Sequence, residues 1–113
     1  SAASDVYKRQ DIDFKINDKS VKSFGSQGEI RSSILVLKLA ELKYILNVLN
    51  ITPVLLLDDV LSELDSTRRD ALLTSIEGIQ TFITSTNSEI IDSYIDDNSK
   101  VFMIENGKYK EIK

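Results

Sequence analysis

Val54-Leu55-Leu56-Leu57-Asp58-Asp59 is a run of apolar residues closed by two carboxylates, with Pro53 opening it. The run is too short for a helix and too continuously apolar for a strand with one wet face, so it predicts a buried parallel strand. Ligands of open α/β sheets bind outside the carboxyl ends of the strands, which is where Asp58 and Asp59 emerge. Two carboxylates in that place can hold a magnesium ion and orient a water. Side chains alternate along a strand, so the two cannot point identically, and one can serve the metal and the other the water. A purely structural reading stands beside this one, in which one aspartate caps a following turn and the other is solvated.

Downstream of the pair, Ser62-Glu63-Leu64-Asp65-Ser66 offers Asp65 or Ser66 as the N-cap of a helix running to about Ile76, and Gly78 ends it. Gln80 to Ser85 then predicts a second buried strand. Thr84-Ser85-Thr86-Asn87 is either turn chemistry or a set of hydroxyls facing the same strand-end crevice. Ser88 can cap a short helix to Ile95. Lys100 to Ile104 and Lys108 to Ile112 predict a closing hairpin, because Asn106-Gly107 supplies the positive φ values that a tight turn requires.

Upstream, Ile12, Phe14 and Ile16 alternate with polar neighbours and predict a half-buried strand from Asp11 to Asn17. A turn at Asn17-Asp18-Lys19 leads to a second short strand near Val21 to Phe24. From Gly28 to about Leu49 apolar residues recur at helical spacing, at Ile30, Ile34, Leu37, Leu42, Ile45 and Leu49. The middle of this helix is apolar on more than one side, which predicts deep burial. At its start, Ser26 and Glu29 are spaced for a capping box. The same geometry offers free amides, a positive dipole end, the Ser26 hydroxyl and a glycine, Gly28, that lets a ligand approach the backbone, and so suits a terminal phosphate. Alternating strands and helices in the middle imply βαβ units with antiparallel pieces at the ends.

At 113 residues the chain is one domain or a piece of one. The mix of 42% hydrophobic and 28% charged residues is that of an ordinary globular protein. Neither cysteine nor histidine is present, so chemistry must use carboxylates, hydroxyls and backbone. The apolar runs fall far short of the roughly 20 residues of a membrane helix, and no signal-peptide pattern opens the chain, which makes the cytoplasm the expected compartment and a membrane partner unexpected. A net charge of −4 confines any DNA contact to a local patch or to segments outside these residues. Asp5 to Gln10 resembles a translated adapter sequence, so residues 1–8 are set apart as a segment that need not be native.

In this order, the segments around Ser26, Asp58, Asp65 and Thr86 resemble the signature motif, Walker B, D-loop and switch segment of ABC-type ATPases. Within that superfamily, Gly25-Ser26-Gln27-Gly28-Glu29-Ile30-Arg31, Leu37 to Leu42, Leu55 to Asp65 and Gln80 to Thr86 resemble the RecF family. The resemblance implies a fold: residues 9–113 as the C-terminal half of a P-loop ABC-type head, a mostly parallel sheet flanked by helices with an antiparallel terminal hairpin. It also implies roles. Ser26, Gln27 and Gly28 would bind the γ-phosphate of an ATP held by a second head, Asp58 would carry Mg2+, and Asp59 would orient the attacking water. Asp65 would belong to the D-loop, and Thr86 stands where many relatives have a switch histidine. Asp59 is one methylene shorter than the usual glutamate, which implies slow hydrolysis, and Glu29 replaces a more usual glutamine.

No Gly-x-x-x-x-Gly-Lys-Ser/Thr loop occurs in these residues. The chain is therefore expected to be part of a longer protein and to be inactive alone. For the whole protein the resemblance implies DNA repair, with ATP-driven homodimerisation on single-stranded DNA or gapped duplex and help from recombination mediator proteins. Another SMC-like or ABC-type head would share the motifs. A phosphoacceptor receiver domain would need a third strand-end aspartate between Asp59 and Thr84, whereas Asp65 and Asp70 fall at or in a helix.

Overall fold

A computed structural model describes residues 12–113. The segment 1–8 and the expected strand start at Asp11 lie outside the described residues. The chain divides between Pro53 and Val54 into two compact units.

In the first unit, β1 (Lys15–Ile16) and β2 (Lys19–Ser20) pair antiparallel. Asn17 and Asp18 connect them with φ of 49° and 63°, the left-handed pair of a tight hairpin turn, which Asn and Asp tolerate better than other side chains. Val21–Phe24, expected as a strand, is a single helical turn whose Val21 carbonyl accepts from the Gly25 amide at 2.9 Å. Its two apolar residues stand three apart, a spacing that fits a helix and not the two-residue period of a strand. A Cβ on Gly25 would come within 2.5 Å of that same carbonyl oxygen, so this chain reversal requires glycine.

The long helix spans Gln27–Asn47. The expected deep burial is not found: Leu42 is its one buried residue, and Ile34, Val36, Leu37 and Tyr44 are exposed. Within their unit, the other described elements are only the short hairpin and the helical turn, too little surface to cover a helix that is apolar on several sides.

The second unit is built on a parallel pair. Strand β3 (Leu55–Asp58) runs beside β4 (Thr81–Thr84) in the register Leu55 with Thr81 through Asp58 with Thr84. Between them lie a 3-10 turn (Leu61–Glu63) and a helix (Ser66–Ser75), which together make the βαβ crossover. Leu57, Leu61, Leu64, Leu72 and Ile76 form its buried core, with Leu61 only 1% exposed. Arg69 Nε donates to the Leu61 carbonyl at 2.8 Å and pins the turn to the helix. Strand β3 covers one face only, since Leu57 is buried while Leu56 is 73% exposed.

A short helix (Ser88–Asp92) follows, capped by Asn87, which accepts from the Ile90 amide at 3.3 Å, and not by Ser88. Tyr94 donates to Asp70 Oδ1 at 2.9 Å and ties the end of this helix to the preceding one. The closing hairpin pairs β5 (Phe102–Glu105) with β6 (Lys108–Glu111) through Asn106-Gly107, both at positive φ as expected. The mixed α/β composition and the parallel crossover hold, but the described sheets are three separate two-stranded pairs, two of them antiparallel. A mostly parallel sheet would need further strands beside β3 and β4, and the remaining strands pair in local hairpins instead.

Candidate functional site

The site residues fall in two groups. Ser26, Gln27 and Gly28 belong to the first unit; Asp58, Asp59, Asp65 and Thr86 belong to the second.

Ser26 caps the long helix. Its Oγ accepts from the Glu29 amide at 3.2 Å while Glu29 Oε2 accepts from the Ser26 amide at 2.7 Å, so both arms of the capping box are made. The hydrogen bond from the Ser26 amide, and secondly the interaction with its hydroxyl, holds the Glu29 carboxyl below the usual glutamate range. The amides of Gln27 and Gly28 are those that helix geometry leaves without an i−4 carbonyl, and both residues are exposed. A Cβ added at Gly28 would meet nothing within 4 Å, so no packing in this unit demands glycine there. The capping box thus accounts for Ser26 and Glu29, whereas Gly28 is left as open room over a helix N-terminus, an arrangement that suits an anion.

In the second unit the acidic pair stands at the carboxyl end of β3. The ladder continues past the strand, since the Asp59 amide donates to the Thr84 carbonyl at 3.1 Å. That amide also reaches Thr84 Oγ1 at 3.1 Å, and the same hydroxyl donates to Asp58 Oδ1 at 2.5 Å. Asp59 has φ of 51°, the left-handed region that Asp visits more readily than most residues. Its Oδ1 accepts from Ser62 Oγ at 2.8 Å, and that hydroxyl also lies 2.9 Å from the Asp59 carbonyl. Asp58 and Asp59 therefore have different surroundings: the first is held across to β4, the second back to the 3-10 turn.

Asp65 has a structural task. It caps the Ser66–Ser75 helix, accepting from the Arg68 amide at 2.9 Å, with the Arg68 guanidinium 3.4 Å from its other oxygen. Thr86 is exposed within a turn closed by Ser85 Oγ, which accepts from the Asn87 amide at 3.1 Å. The hydroxyl that reaches the acidic pair is Thr84, not Thr86. The sequence placed Thr84 only within a set of hydroxyls near the crevice and gave the switch position to Thr86, and Ser62 carried no signal of its own; the register that sets Thr84 beside Asp58 separates Thr84 from its neighbours.

The donor set decides which metal could fit. Among the described residues no three acidic side chains converge, so there is no protein-built cage. One exposed carboxylate, with Oδ1 taken by Thr84, fits Mg2+, which keeps most of its waters and is held by one or two carboxylates together with substrate phosphates. Elsewhere, a cleft of about 290 Å³ in the first unit is lined mostly by hydrocarbon, including Phe14, Val21, Ile30 and Leu37, and carries no converging polar groups.

No family model matches the chain. Among curated proteins it is similar to the DNA replication and repair protein RecF of Clostridium acetobutylicum, 48% identical over 103 residues, covering 91% of this chain and 28% of that protein. Clostridium perfringens RecF is 51% identical over 100 residues (88% and 28%), and Clostridium botulinum RecF 49% over 105 residues (92% and 29%). The chain thus spans less than a third of the length of the curated relatives it matches. Among solved structures it is similar to the recombination mediator protein RecF-ATP in the RecFOR pathway, with a TM-score of 0.69 and 34% identity, over 94% of this chain and 27% of that one. Sequence and structure both match RecF, and the coverage fits a C-terminal RecF fragment.

Proposed function

We propose, from the match to RecF, that the chain is the C-terminal lobe of an ABC-type ATPase head in a cytoplasmic DNA-repair protein, and that it contributes half of a composite nucleotide site. The observation that carries this reading is the placement of Asp58 and Asp59 at the carboxyl end of a parallel strand, each with a different partner. RecF in the matched solved structure is named with ATP, which supports ATP as the nucleotide.

In this reading the Gln27 and Gly28 amides and the Ser26 hydroxyl bind the terminal phosphate of an ATP held by the partner head. Asp58 holds Mg2+, which supplies charge neutralisation to the phosphates when bound. Asp59 orients the attacking water, Asp65 sits in the segment that faces the partner head, and Thr86 stands at the switch position. The full-length protein hydrolyses ATP slowly as a homodimer, and these 113 residues, which lack a phosphate-cradling Gly-Lys loop, do not turn over ATP alone. The homodimer clamps single-stranded or gapped duplex DNA and works with recombination mediator proteins.

The test is ATP-dependent dimerisation of the full-length protein, followed by light scattering with and without DNA. Wild type is expected to dimerise with ATP, Ser26→Arg to remain monomeric, and Asp59→Asn to form longer-lived dimers. A wild-type protein that never dimerises with ATP overturns the reading.

A further inference from the structure

Thr84 has no role in the motif assignments, yet its side chain touches both members of the acidic pair. A threonine hydroxyl has one proton and two lone pairs. Here the proton goes to Asp58 Oδ1, and the oxygen receives the Asp59 amide. We propose that Thr84 is the positioning residue of the pair: one hydroxyl fixes which oxygen Asp58 offers to a metal ion and holds the backbone from which Asp59 acts.

The geometry follows from the register. Asp58 and Thr84 are direct partners across the parallel pair, so their side chains stand on the same face at the strand ends. With Oδ1 engaged, Oδ2 is the oxygen left for a hydrated Mg2+. One residue further the chain turns into the left-handed region at Asp59, and the Asp59 amide, shared between the Thr84 carbonyl and hydroxyl, anchors that turn. Losing the hydroxyl removes both restraints at once. Residues that orient a metal-bound carboxylate are typically worth about 10–100-fold in metal affinity or activity.

This inference rests on the ATPase reading above, and the test separates the two. In the full-length protein with a non-hydrolysable ATP analogue, Mn2+ is titrated in place of Mg2+ and followed by electron paramagnetic resonance, alongside ATP turnover. Thr84→Val, which keeps the side-chain shape, is expected to weaken Mn2+ binding about tenfold or more, and Thr84→Ala to do the same. Thr84→Ser restores the hydroxyl and is expected to bind Mn2+ within about twofold of wild type. If Thr84→Val binds Mn2+ like wild type while Asp58→Asn does not bind it, the role of Thr84 is overturned and the ATPase reading stands. If Thr84→Ser is as weak as Thr84→Val, the hydroxyl is not responsible and the proposal fails. If Asp58→Asn binds Mn2+ unchanged, the ATPase reading itself fails.

Discussion

Ser62 Oγ lies 2.8 Å from Asp59 Oδ1, so the carboxylate assigned to the water is held by a hydroxyl three residues on. A hydrogen bond to a charged group contributes about 1.5–3 kcal/mol, and less where both groups are exposed, as here. Ser62→Ala is therefore expected to slow ATP turnover about fivefold, while dimerisation with ATP is unchanged. Single-turnover hydrolysis beside light scattering checks this, and an unaffected rate would show that the contact only closes the turn.

Gly28 separates structural from functional pressure at the helix start. Alanine finds open space there and is a better helix former by about 0.5–1 kcal/mol. Gly28→Ala is expected to leave the melting temperature unchanged or raised and to weaken ATP-driven dimerisation about tenfold or more. Unimpaired dimerisation would remove Gly28 from the nucleotide site.

Glu29 gives the helix cap a pH dependence. Its folded-state pKa lies below the unfolded value, so its contribution is fully present above the unfolded value and is lost as pH falls through the folded value. Glu29→Gln keeps the length of the side chain without the titration. Unfolding followed from pH 6 to pH 3 is expected to show wild type losing stability relative to Glu29→Gln at the acid end; parallel curves would contradict the assignment.

Leu61 carries the core of the second unit. At 1% exposure, truncation to alanine opens a cavity and is expected to cost about 2–5 kcal/mol. Because the 3-10 turn holds Ser62, the same variant should also disturb Asp59. Denaturant melts and the ATPase rate should fall together, and a loss of stability with an intact rate would uncouple the two.

Much of the second unit was legible because its signals are local. A short apolar run ending in carboxylates, an aspartate spaced to cap a helix and an Asn-Gly turn each specify their own geometry, and all three elements appear, but the burial expected of both central strands does not: Leu57 alone is buried in β3 and no residue of β4 is. Thr84 was legible only as one of several hydroxyls near the strand ends, because its pairing with Asp58, 26 residues away, depends on a strand register that no local pattern encodes. Val21–Phe24 misled through composition, as β-prone residues took the helical spacing of Val21 and Phe24. The long helix misled in another way: periodicity reports how much of a surface is apolar, and not whether the same chain supplies a neighbour to cover it.

Leu56 and Phe82 are direct partners on the open face of β3 and β4, 73% and 58% exposed. A pair of large apolar side chains on a two-stranded sheet, with which no third described strand pairs, is a template for aggregation. Produced on its own at high concentration, this polypeptide should be prone to inclusion bodies and to filament-like assembly through these strands. Lysine at either position is the first change to try for soluble expression.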